Sequence, residues 1–159
     1  MATRRVLRDG EETLRQVSRP VKEVDKHTKQ LLDDMAETMY AYEGVGLAAP
    51  QVGVLRRLIV IDVSEKRNDL LQLVNPVIIA TEGSCHEAEG CLSIPGRRGI
   101  VERPAKVTVR ATNRRGKEIE ITAEGLLARA LCHEIDHLDG ILYTDKMIKD
   151  VTDSEEADS

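Results

Sequence analysis

Residues 130–140 read ALCHEIDHLDG, and this run limits the fold more than any other. It sets His133, Glu134 and His137 in an H-E-x-x-H pattern, with Leu126, Leu127, Ala130, Leu131 and Leu138 around them. Apolar residues at that spacing describe a helix with a buried face. Imidazoles and a carboxylate in such company need partners, because burying a polar group without one costs free energy. The helix must therefore pack against the rest of the chain, which makes it a rigid mount for a site. Successive helical residues turn about 100°, so His133 and His137 stand about 40° apart and one turn apart in height. Both rings can meet one ion. Glu134 falls on the flank of the same face, in reach of a water held there, which is where a general base belongs.

A catalytic divalent site takes three protein ligands and leaves one position open, so a third ligand has to be found. Downstream candidates are weak. Tyr143 stands where some H-E-x-x-H peptidases place a third His, and Glu155 and Glu156 lie in an acidic stretch without periodicity. Cys132 adjoins His133 and faces about 100° away from it, which suits packing better than ligation. Upstream, Cys91 lies in the segment EGCLS, with Cys85 and His86 as rivals nearby. No C-x-x-C pair exists, so composition alone does not choose among them.

The chain has 159 residues, no Trp, no Phe and three Tyr. That length predicts a single domain over about residues 1–150 with an aliphatic core. A net charge of −5 excludes a general nucleic-acid binder, and no nucleic-acid motif is present. No apolar run has the length of a membrane span, and MATRRVLRDG lacks the apolar stretch of a secretory signal. Three cysteines do not make a disulfide framework, and the expected location is the cytoplasm.

Helical spacing runs from about Lys26 to Glu43, with Gly44 placed for the left-handed position beyond it. A short helix is expected before Pro20. RLIVIDV and LLQLVNPVIIA read as strands, and KVTVRA and KEIEIT as a hairpin closed by NRRG. The segment GSCHEAEGCLSIPGRRG reads as irregular. The last helix is expected from Ala123, capped by Thr122, and the acidic residues 151–159 as a frayed tail. This order predicts an α+β fold, with mostly antiparallel sheet packed around the C-terminal helix that carries the motif.

Three motifs in this order resemble the peptide deformylase family: GVGLAAPQ at Gly44–Gln51, EGCLS at Glu89–Ser93 and HEIDH at His133–His137. The resemblance spans the chain from the first helix to about Lys149. It implies hydrolysis of the N-formyl group from N-formylmethionyl nascent peptides, releasing formate. It also implies one divalent ion held by Cys91, His133 and His137: ferrous iron in the cell, with zinc, nickel or cobalt accepted. Glu134 is then the catalytic base and acid, and Gln51 with the backbone N–H of Leu92 holds the oxyanion. Gly46 lets the substrate backbone approach, and Val45, Leu126 and Ala130 wall the methionine pocket. Arg129, beside that wall, is expected to snorkel to the rim or face solvent. Arg97 and Arg98 either meet peptide carbonyls or form a solvated turn. Many relatives carry Gln where this chain has Cys132. The resemblance implies transient ribosome association, although the acidic tail departs from the basic C-terminal helix some relatives use there. An endopeptidase with a downstream ligand and a metal-stapled binding module are the competing readings.

Overall fold

The computed structural model describes residues 2–152. After a single 3-10 turn at Glu12–Arg15, where a short helix is expected, helix α1 spans Lys26–Ala41. Asp25 caps it, accepting a hydrogen bond from the Thr28 amide at 2.8 Å. Strands β1 (Gly46–Ala48), β2 (Leu58–Ile61) and β3 (Leu71–Glu82) follow. Next come β4 (Cys85–Cys91), β5 (Ile94–Arg103), β6 (Lys106–Asn113) and β7 (Glu118–Glu124). Helix α2 covers Gly125–Leu138, and α3 (Tyr143–Lys146) and β8 (Met147–Asp150) close the fold.

One sheet has the order β1-β2-β3-β6-β7 and the other β4-β5-β8, with every ladder antiparallel. The expected α+β class is the one observed. Helices cover the larger sheet on both faces. Leu58 and Val60 of β2 pack with Leu31, Leu32, Met35 and Met39 of α1. Ile59 and Ile61 pack with Leu131, Ile135 and Leu138 of α2. A strand buried on both faces needs apolar residues at every position, which is why RLIVIDV reads as an unbroken run. A third cluster, with Leu14, Ile94, Val101, Leu142 and Tyr143, lies against the smaller sheet. No helix of the described residues is long and apolar enough to cross a membrane.

Four local expectations change. GSCHEAEGCLSIPGRRG is not irregular: it is the β4–β5 hairpin, paired from Cys85↔Arg103 to Cys91↔Ile94. The last helix starts at Gly125 rather than Ala123, because pairing with β6 continues to Glu124 and holds Thr122 inside β7. At the end of α1 the left-handed residue is Glu43, at φ 58°, not Gly44. Gly44 is small for a different reason: a Cβ there would come within 2.7 Å of the Leu92 side chain. Val151 is buried and donates to the Arg98 carbonyl at 3.0 Å, so the fold reaches beyond residue 150. From Asp153 on, the expected tail lies outside the described residues.

Asp62, at the end of β2, ties this frame to the segment that enters β1. Its carboxylate accepts from Tyr40 Oη at 2.6 Å, Ser64 Oγ at 2.6 Å and the Ser64 amide at 2.9 Å. Its own amide donates to the Val45 carbonyl at 2.9 Å. Burial alone would raise its pKa, but the donors from Ser64 and Tyr40 outweigh it and hold the group at about 2. A carboxyl depressed in the folded state stabilises above its unfolded pKa and loses that contribution as pH falls through the folded value. Denaturant unfolding should therefore show a loss of stability between about pH 4 and pH 2. Asp62→Asn should flatten that limb and lower stability at pH 7 by about 1–3 kcal/mol.

Candidate metal centre

The centre forms where α2 faces β4. His133 and His137 share a stripe of the helix, and Glu89 and Cys91 share a face of the strand, two residues apart. His137 Nε2 lies 3.2 Å from His133 Nε2 and 3.4 Å from Cys91 Sγ. The ligand atoms of the three residues all fall within 4.8 Å of one another. An ion bound tetrahedrally, at about 2.0–2.1 Å from nitrogen and 2.3 Å from sulfur, spaces such atoms about 3.3 and 3.5 Å apart. Two imidazole lone pairs this close repel unless a proton or a cation lies between them. The donor set and its spacing thus fit one divalent ion. Cys85 Sγ instead meets Arg129 Nη2 at 3.5 Å, and His86 is exposed beside Glu102.

Glu89 fixes the His133 ring, taking a hydrogen bond from Nδ1 at 2.9 Å. It also accepts from Arg103 Nε and Nη2, each at 2.9 Å, and from Arg129 Nη1 at 2.5 Å. Burial pushes the Glu89 carboxyl up, but Arg103 and His133 outweigh it and hold the group at about 2. Burial and the neighbouring His133 hold His137 well below the ordinary imidazole range. Arg103 continues to Asp136 on α2, at 2.6 Å. Glu89, Arg103 and Asp136 are neighbours of the centre whose contacts the sequence reading missed. The usable signal was position: Glu89 precedes Cys91 by one strand period.

Glu134 is buried, its Oε1 meets no protein partner among the described residues, and burial pushes its pKa up to about 7. Gly46 sits against it. A Cβ at Gly46 would lie 2.6 Å from Glu134 Oε2, so the glycine makes room for this carboxylate, and it also lines the cleft where substrate is expected. Gln51 is buried, with Oε1 held by the Ala48 amide at 2.9 Å. Its Nε2 donates to Ser93 Oγ at 3.1 Å and points to Cys91 Sγ at 3.6 Å.

A cleft of 1070 Å³ opens over these groups. Val45, Leu126 and Ala130 line it, as does Leu92 at the hairpin tip. Arg97 and Arg98 lie on its wall; Arg97 pairs with Asp150 at 2.8 Å. Arg129 neither snorkels nor faces solvent: it is 5% exposed, because its guanidinium ends on Glu89 and on backbone carbonyls. Cys132 is buried in the core with Leu131 and Ile135. Tyr143 is buried too, its ring stacked with that of His133 at 6.1 Å between centroids.

A profile of the polypeptide deformylase family matches residues 3–153. The peptide deformylase of Acetivibrio thermocellus is 57% identical over 155 residues, covering 98% of this chain and 89% of that one. That of Alkaliphilus metalliredigens is 57% identical over 150 residues, covering 94% of this chain and all of the relative. A crystal structure of a Legionella pneumophila peptide deformylase superposes with a TM-score of 0.89 at 47% identity, covering 92% of this chain and 86% of that one. The Synechococcus elongatus peptide deformylase, solved in complex with actinonin, gives 0.87 at 42% identity, covering 89% and 79%. Fold, motif order and near full-length identity agree, and the chain belongs to the peptide deformylase family of metal-dependent hydrolases, which act on formylated nascent peptides.

Proposed function

We propose that Cys91, His133 and His137 hold one divalent ion, and that Glu134 carries the proton as the formyl group leaves an N-formylmethionyl peptide. One observation carries this reading. A cysteine on a strand and two helical imidazoles converge at ligand spacing, beside a buried carboxylate with a free oxygen. The bound ion supplies Lewis acidity, polarising water and the formyl oxygen. Glu134 Oε1 takes a proton from the attacking water and returns it to the departing amine nitrogen. Formate and a free N-terminal methionine result.

Gln51 Nε2 and the backbone N–H of Leu92 donate to the oxygen on which negative charge collects. One such donor is worth about 3 kcal/mol in a transition state. Val45, Leu126 and Ala130 form the apolar wall against the methionine side chain. A thiolate among the ligands suits a soft or borderline ion. By resemblance to the family we read ferrous iron, with zinc, nickel and cobalt as substitutes. The substrate is the nascent chain end in the cytoplasm, met during transient contact with the ribosome.

Formate release from a formyl-methionyl tripeptide, with metal analysis of the same anaerobic sample, tests the assignment. One equivalent of iron and rapid release are expected, with loss of activity after exposure to air. Cys91→Ser should lose both metal and turnover, and a Cys91→Ser protein that keeps its ion overturns the ligand set. Glu134→Gln should retain the ion yet lower kcat by at least about a hundredfold; full activity removes Glu134 from the reaction. Gly46→Ala separates geometry from ligation. The added methyl displaces the Glu134 carboxylate, and a shift of about 1 Å costs on the order of a hundredfold in rate. Metal content and KM should stay near those of the unsubstituted protein.

A further inference from the structure

We propose that Arg129 is a positioning residue for the metal centre. It straps α2 to the strand that carries Cys91 and so holds thiol and imidazoles at ligand spacing before an ion arrives. The inference rests on the ligand set above and adds a residue that takes no part in the chemistry.

The need for a strap follows from the topology. The two imidazoles stand on α2, which packs closest against strands of the five-stranded sheet. Cys91 belongs to the other sheet, and among the described residues no backbone ladder joins the two. Besides the α3 and β8 segment that follows α2 and packs on β5, the spacing of sulfur to imidazole therefore depends on side chains that cross directly from helix to hairpin.

Arg129 makes that crossing. Arg129, His133 and His137 follow at four-residue steps along one stripe of the helix. Cys85, Glu87, Glu89 and Cys91 of β4 all reach toward α2, the last two across a register shift in the hairpin. Nη1 donates to Glu89 Oε2 at 2.5 Å and to the Val101 carbonyl on β5 at 3.0 Å. Nη2 donates to the Cys85 carbonyl on β4 at 3.0 Å. One guanidinium thus grips both strands of the hairpin and the carboxylate that orients His133. Arg103 makes the reverse crossing, from β5 to Asp136 on α2. The two differ in what they hold. Asp136 is a side chain that can rotate, whereas the Val101 and Cys85 carbonyls are backbone and cannot leave without moving the strands. A planar fork is required for this, and a lysine has a single nitrogen.

Ligands already in place cost less to organise when the ion binds, so removing the strap should weaken metal binding. Arg129→Met keeps the stem and removes the fork. Cobalt(II) titrated into the metal-free full-length chain should bind about tenfold more weakly or worse, the usual effect of losing an outer partner. The thiolate-to-cobalt absorption band should shift. Arg129→Lys restores the charge without the fork and should stay weak. Affinity within about twofold of the unsubstituted protein in both variants overturns the proposal.

Hydrogen exchange on the unsubstituted chain is an independent test, whether or not the variants fold. The amides of residues 85–90 should be equally protected with and without cobalt. Protection that appears only on adding the ion means the ion builds the site, and the strap is refuted. Cys91→Ser separates this result from the ligand assignment. If that variant keeps the thiolate band, the ligand reading fails, while β4 exchange in metal-free Arg129→Met against the metal-free unsubstituted chain decides whether Arg129 holds the hairpin. Faster exchange in the variant supports the strap, and equal exchange refutes it.

Discussion

A buried carboxylate is stable only when its lone pairs are met by donors and its charge by cations, and Glu89 has both. Its two oxygens accept four hydrogen bonds: one from His133, two from Arg103 and one from Arg129. That matches the acceptor capacity of a carboxylate, so none is left over. The bond to His133 Nδ1 settles which nitrogen holds the proton and leaves the Nε2 lone pair aimed at Cys91 and His137. The arginines connect the same carboxylate to both sheet strands and to the helix. The geometry of the proposed metal centre leans on this ionic knot, which holds the His133 ring through Nδ1 while Tyr143 stacks on its face.

The knot also explains the division of labour between the two sheets. The five-stranded sheet, covered by α1 and α2, holds most of the aliphatic core and fixes the helix that carries the imidazoles. The β4–β5–β8 sheet has a smaller apolar cluster around Ile94 and Val101. Its attachment to α2 relies more on charge than on area: Arg103 and Arg129 are both nearly fully buried, and each is paired. Breaking one member of such a buried set is more disruptive than its net contribution suggests, because the remaining charges stay inside.

Much of this was legible in the sequence. Helical spacing located α1 and α2, the alternation of KVTVRA and KEIEIT located a hairpin, and motif order brought Cys91 to His133 and His137. The failures have physical causes. The β4–β5 hairpin was hidden because CHEAEGC and IPGRRGI place charges and glycines where a strand usually shows β-branched residues. Its helix-facing positions are occupied by half-buried Cys85 and Cys91 and by buried Glu89, which are there for pairing and not for hydrophobicity. Arg129 misleads for the same reason. A lone arginine on an apolar stripe reads as a snorkelling rim residue, and only the fold shows carbonyls and a carboxylate waiting for it. The closeness of Gly46 to Glu134 was not legible either, because the two lie 88 residues apart in the chain.

Glu89 and Glu134 then form a pair that differs only in surroundings. Both are buried, and both lie within a few residues of proposed ligands. Glu89 is ringed by donors and cations and held at about 2, so it stays charged near neutral pH. Glu134 has an oxygen with no protein partner among the described residues, and burial lifts it to about 7. Its position is set by shape, by the hollow that Gly46 leaves, and not by hydrogen bonds. A group held by shape can gain and lose a proton without breaking the contacts that place it. Environments that push two like groups apart in this way mark one as scaffold and the other as acid or base. The proposed roles follow that rule with two glutamates, one on a strand and one on a helix, each placed by its own neighbours.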